Sequence, residues 1–194
     1  MLKSQTTITS DMTNYFYQRT HKHIDLVRKY LQQILDSNDD KLDTSILKCE
    51  YEHHDDGKFQ NPEFIPYILI TWNYHLKDTT GKEINYSDKL KECFQYATFH
   101  HVKKHPHHPE YWDENATFES INKENRDEHP ENMVYASKMP LSYVACMVAD
   151  WLAVSEERDT CPFQWAIHNI NSRWEFNDDQ VQFILELIER LWKK

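Results

Sequence analysis

The stretch His100 to Trp112, HHVKKHPHHPEYW, holds five of the chain's 12 histidines. Imidazoles at that density take up divalent metal, either as a flexible tract that scavenges ions or as part of a folded site. A folded site needs matching nitrogen and oxygen ligands elsewhere, on faces that point inward. Three residues meet that condition on apolar helical stripes: His23, His101 and Asp150. The adjacent pair His54-Asp55 sits at a helix end, where an imidazole and a carboxylate can reach one ion. A lone histidine on an apolar face is most often a satisfied core residue. An aspartate there needs a partner, because burying an unpaired carboxylate is expensive. Together these side chains supply the N and O ligands that Mn, Fe or Zn accept. Within the His-rich stretch the ligand candidates are His101 and either His107 or His108. His100 and His105 are outer donors or exposed. Pro106 and Pro109 stiffen the turn, and Tyr111 and Trp112 are expected to anchor it in the core.

The elements that must position these groups are helices. From Asp11 to Asp36 the residues Met12, Phe16, Val27, Tyr30 and Ile34 share one stripe at about 100° per residue, with His23 in its middle and His21 nearly opposite. Asp43 or Thr44 caps a second helix that ends near His53. HHDDGKF follows, with Gly57 expected to turn the chain. Asn61-Pro62-Glu63 starts a third helix, with Pro62 at its first position and Pro66 distorting the first turns, that runs to about His75. Ser87 caps a fourth, Asp88 to about Lys104, whose inner face is Leu90, Phe94, Ala97 and His101. A fifth runs from about Pro140 to Glu157, with Tyr143, Met147, Asp150 and Val154 on one side. The sixth spans Pro162 to about Arg173, and Asn177 caps the seventh. The segment 113–138 is polar and weakly periodic, and reads as a surface insertion, a candidate lid. The expectation is one all-α domain, residues 11–194, of about seven helices behind a flexible start at 1–10.

The bulk composition narrows the function. A chain of 194 residues suits one domain with its own core. Only two glycines are present, and no GxGxxG or GxxxxGK[ST], which argues against Rossmann and P-loop nucleotide sites. A formal charge of −10 repels long nucleic acid, yet admits a small phosphorylated substrate where a metal ion reverses the local field. The four cysteines form no CxxC and read as reduced thiols of a cytoplasmic protein, three of them in helix cores. No apolar run approaches the roughly 20 residues of a membrane span. Trp165, Trp174 and Trp192 are core residues or a homodimer contact.

HHDDGKF contains H-D-x-G-K and so resembles the signature of HD-domain metal-dependent phosphohydrolases. The order of a helical His, the His-Asp doublet, later histidines and a helical Asp is similar too. The resemblance implies an HD-like bundle in which His23, His54, Asp55 and Asp150 hold one ion. In two-ion members, intervening histidines hold a second ion. The candidates here are His101 and His108, with His107 beside them, and Asp55 as the bridge. Mg is a further option for the metal. The chain also resembles, over Thr20 to Val154, an uncharacterised family of bacteria and their viruses with H-D-x-S-K-F, H-H-x-x-W and D-W motifs, so a viral chain would work in the host cytoplasm. It departs from that family at Asp56-Gly57, at His105 and at Met147, which stands where a carboxylate is usual.

The activity implied is hydrolysis of a nucleotide or another small phosphorylated metabolite by a metal-activated water. Lys58 would face the phosphate, although a lysine there also reads as a plain surface residue. Glu63 would brace a ligand histidine, or serve only as a first-turn acid. Lys103 and Lys104 either draw a phosphate to the site mouth or are simply solvated. The same ligand set resembles the HD-fold di-iron oxygenases, the group of myo-inositol oxygenase, which is the second expectation. A metal-stabilised binding protein without catalysis is the third.

Overall fold

A computed structural model of the chain describes residues 7–120 and 132–193. Among these, seven α-helices dominate, and the protein is an all-α bundle. They are α1 (Ser10–Asp36), α2 (Thr44–His53), α3 (Phe64–Thr80), α4 (Asp88–Lys104), α5 (Leu141–Arg158), α6 (Pro162–Asn169) and α7 (Asp178–Leu191). Single 3-10 turns occupy Asp56–Phe59 and Pro109–Trp112.

Local chemistry explains most boundaries. Thr9 caps α1 by accepting from Met12 N, and Asp43 caps α2 by accepting from Ser45 N. Asn177 and Gln180 form a reciprocal capping box on α7. Ser87 occupies the N-cap of α4 without making a side-chain cap bond. Helix α3 begins at Phe64, after a cis Asn61–Pro62 bond, rather than at Pro62. The later start puts Pro66 in the first turn, where its missing N–H has no intrahelical partner to lose, so the helix is not interrupted. It continues past His75 to Thr80, and Gly81 closes it in the left-handed conformation at φ 69°.

Helix α5 is the axis of the bundle. Most of its residues from Ser142 to Ala153 are buried, and it packs on α1, α2 and α7. The main core gathers Leu31 and Ile34 of α1, Leu47 of α2, Val148 and Leu152 of α5, and Ile184 and Ile188 of α7. A second cluster joins Met12 and Phe16 of α1 to Ile68 and Leu69 of α3. Buried Trp174 stacks on Trp151 with centroids 5.4 Å apart, while Trp165 and Trp192 pack half-buried against the same core.

Several expectations are corrected. The 113–138 segment is not wholly a surface insertion: Asp113, Ala116, Val134 and Ala136 are buried. Val134–Tyr135 forms a short strand β1, parallel to β2 (Trp174–Glu175). Pairing of β2 with β1 also ends α6 at Asn169, short of Arg173. The lid was expected over 113–138 and the flexible start over 1–10; of these, 121–131 and 1–6 lie outside the described residues. Only Cys146 of the four cysteines is buried. Cys49 lies on a helix that buries only Leu47, and Cys93 on the half of α4 that buries nothing. No helix among the described residues is long and apolar enough to cross a membrane.

Candidate metal centre

The centre forms around Asp55. His54 closes α2, its N–H donating to Glu50 O, and Asp55 then takes a left-handed conformation at φ 63°. That conformation is uncommon for a non-glycine residue and tolerable for aspartate. It reverses the chain so that neighbouring side chains converge. Asp55, not Gly57, is therefore the turning residue. Gly57 serves close approach instead, since a Cβ there would lie 2.5 Å from His105 Nε2. The Asp55 carboxylate makes no cap bond to its own turn and is 1% exposed.

The two oxygens of Asp55 face different groups of donors. Oδ2 lies 3.7 Å from His23 Nε2 and 3.6 Å from His54 Nε2, and His23 Nε2 is 3.1 Å from Asp150 Oδ1. Oδ1 lies 3.2 Å from His101 Nε2. His101, His107 and His108 form a second close group, with the His107 and His108 rings 4.4 Å apart. Thus α1, the α2 end, α4, α5 and the turn after α4 all deliver the residues expected from the sequence. His107 and His108 both belong to the second group. Several buried His, Asp and Glu clusters of this kind can hold a metal ion.

Spacing separates ligand faces from bracing faces. Two ligands at about 2.0–2.1 Å from one ion lie roughly 2.9 Å apart at an octahedral right angle and about 3.3 Å apart at a tetrahedral angle. The contacts made by Nε2 atoms, 3.1–3.7 Å, bracket the wider of these values. The opposite ring nitrogens sit closer to carboxylates: His54 Nδ1 is 2.7 Å from Glu50 Oε1, and His101 Nδ1 is 2.8 Å from Glu63 Oε2. His107 Nδ1 is 2.5 Å from Glu50 Oε1. His23 is the exception: its Nδ1 is 3.4 Å from Glu157 Oε2, no closer than its Nε2 is to Asp150. In His54 and His101, carboxylates holding Nδ1–H direct a lone pair at Nε2 into the centre. Buried His54 Nε2, both ring nitrogens of His107 and Asp55 Oδ1 have no partner in hydrogen-bond geometry. Such atoms are costly unless something binds them, so the donor set fits a divalent ion.

Burial and these partners together set the charge states of the centre. Burial opposes ionisation of Asp55, yet Lys58, His54 and His101 hold its carboxyl well below the usual range. Asp150 is likewise depressed against its burial by His23. Burial would pull His23 down, but its bonds to Asp150 and Glu157 carry it up to about 9. Burial and the neighbouring His101 push His105 down to about 4.

Lys58 Nζ donates to Asp55 Oδ2 at 2.5 Å, and its side chain remains partly exposed. Glu63 braces as expected, with Oε1 also 2.7 Å from His100 Nδ1. Lys103 does not line a site mouth; its Nζ donates to Glu110 O and Asp113 O and ties down the histidine turn. Trp112 Nε1 donates to Pro106 O within that turn, whereas Tyr111 is 41% exposed and anchors nothing in the core.

Sequence reasoning missed Glu50 and Glu157. Both were readable as helical neighbours: Glu50 stands one turn before His54, and Glu157 two turns after Asp150.

Fold and centre together define an all-α protein with a candidate metal site at the heart of its bundle. Residues 12–190 match the model of a family of unknown function (DUF5662), and the chain belongs to that family. No curated protein and no solved structure matches the chain.

Proposed function

We propose that the protein is a metal-dependent phosphohydrolase of HD-like design, acting on a nucleotide or another small phosphorylated metabolite. The observation that carries this reading is the Asp55 carboxylate, whose two oxygens face two separate sets of Nε2 donors. His23, His54, Asp150 and Asp55 Oδ2 would hold one divalent ion. Asp55 Oδ1, His101 and the His107–His108 pair would hold the other. Fe, Mn and Zn suit these N/O donors best, with Mg the least suited to so many imidazoles. Bound ions would supply a Lewis acid at a phosphoryl oxygen and lower the pKa of water.

The chain's own groups do the rest. Glu50, Asp55, Glu63, Asp150 and Glu157 place five carboxylates around the centre, a field that repels phosphate until cations offset it. Lys58, partly exposed and paired with Asp55, supplies a cation that would receive a phosphoryl oxygen and stabilise charge growing on it. Burial of His54, Asp55 and His101 excludes bulk water from the inner face.

The test is turnover of a phosphoester panel by tag-free protein, stripped and then reloaded separately with Mn, Zn or Fe. The expected result is phosphate release that needs metal and falls at least 10-fold in Lys58→Ala. No release with any metal, or release indifferent to stripping, refutes it. Five histidines converge with two aspartates, enough to fill the four-histidine, two-aspartate set of a di-iron oxygenase, which also supports that reading. Near two irons per chain, a mixed-valent EPR signal and oxygen consumption without phosphate release would favour that reading. Tight metal without either turnover would leave a metal-stapled binding protein.

A further inference from the structure

We infer that Glu50 couples the two halves of the centre, one carboxylate orienting a histidine from each ligand set, so that its loss weakens both ions at once. The inference rests on the two-ion reading above. Glu50 Oε1 lies 2.7 Å from His54 Nδ1 and 2.5 Å from His107 Nδ1. These separations are shorter than two ligands of one ion at about 2.0–2.1 Å would keep; His54 Nδ1 hydrogen-bonds that oxygen, and His107 Nδ1 stands in ion-pair contact with it outside hydrogen-bond geometry. Glu50 is thus a positioning residue and not a ligand. His54 presents its Nε2 to Asp55 in the first group, while His107 stands with His101 and His108 in the second. The two rings lie side by side, centroids 4.5 Å apart, with the carboxylate across their Nδ1 edges. The other bracing carboxylates do not span the centre. Glu157 meets only His23 of the ligand histidines, and Glu63 only His101. Glu50 itself is held on the last turns of α2, four residues before His54, so the brace and the doublet move as one unit.

The test is a Co2+ titration of metal-free protein followed by visible absorption, with bound metal counted by elemental analysis. The variants are Glu50→Leu, Glu50→Gln, Glu63→Gln and Glu157→Gln. Glu157→Gln is expected to weaken one binding step and Glu63→Gln the other, which assigns the steps. Glu50→Leu is expected to weaken both by roughly 10–100-fold and to alter both Co2+ spectra. Glu50→Gln, which keeps an acceptor oxygen, should lie between Leu and wild type at both steps, a graded rescue that general destabilisation would not give. If Glu50→Leu does not fold by circular dichroism, Glu50→Gln decides by the same two-step criterion. Weakening of one step alone, or of neither, overturns the inference while leaving the two-ion reading intact. A wild-type chain that binds fewer than two ions overturns both.

Discussion

Replacing Asp55 by asparagine should cost both ions, because one oxygen of that carboxylate belongs to each ligand set. Asparagine keeps the size of the side chain and tolerates the left-handed backbone at φ 63°, so the perturbation is confined to charge. Lys58 loses its partner but is partly exposed and can turn to water, which limits damage to the fold. Structural sites with four protein ligands bind Zn2+ with about 10–16 kcal/mol, or about 2.5–4 kcal/mol per ligand if shared evenly. Losing one anionic ligand from each set therefore lowers each affinity roughly 10²–10³-fold. Equilibrium dialysis against metal-buffered solutions, followed by elemental analysis, reads both steps. Asp150→Asn is the control, because Asp150 touches His23 and not His101, and should shift one step only. If Asp55→Asn shifts one step, or neither, Asp55 is not the bridge and the two-sided reading of its oxygens is wrong.

Metal-free protein should lose stability as pH rises from about 6.5 through 9. His23 has its folded pKa raised to about 9, so its contribution is complete below the unfolded value and disappears above the folded one. The shift corresponds to about 3 kcal/mol at most, visible as a falling melting temperature, and saturating metal should abolish the fall; a flat profile without metal would refute it. Lys103→Met should loosen the turn carrying His107 and His108, costing about 1–3 kcal/mol by denaturant melt and weakening only the second ion; unchanged stability would argue against that tether. A thiol reagent should modify Cys49, Cys93 and Cys161 in the folded protein and Cys146 only after denaturation; rapid labelling of all four would contradict the packing of α5. Leu152→Ala, in the centre of that helix, should cost about 2–5 kcal/mol, and a loss below about 1 kcal/mol would mean the bundle axis is misplaced.

Where periodicity was strong, the sequence was informative. The α1 stripe carries His23 inward among Phe16, Val27 and Tyr30 and leaves His21 exposed, as spacing alone requires. Cap chemistry located the starts of α2 and α7. The failures have physical causes. Pro62 reads as a helix start, yet α3 begins only at Phe64, and the Glu63 side chain at its N-cap is drawn to His100 and His101 and makes no cap bond. Cys49 and Cys93 fit helical patterns, but a pattern does not reveal which stretch of a helix has a neighbour to cover it. The β1–β2 pairing joins two-residue strands 40 residues apart, too short for any alternation to register. The candidate ligands were legible because buried histidines and aspartates are rare on apolar faces. Glu50 and Glu157 escaped because acids beside an apolar stripe look like ordinary surface.

The residues that meet at Asp55 are drawn from nearly the whole length of the chain. His23 and Asp150, 3.1 Å apart in space, are separated by 127 positions along the sequence. No helical hairpin can therefore preassemble the first ligand set, and a chain emerging from the ribosome lacks it until α5 has docked on α1. If these residues hold metal, its capture would be among the last events of folding. A tightly held ion would mark completed molecules, and starvation for metal would leave a population of helical but unlocked chains exposed to proteases.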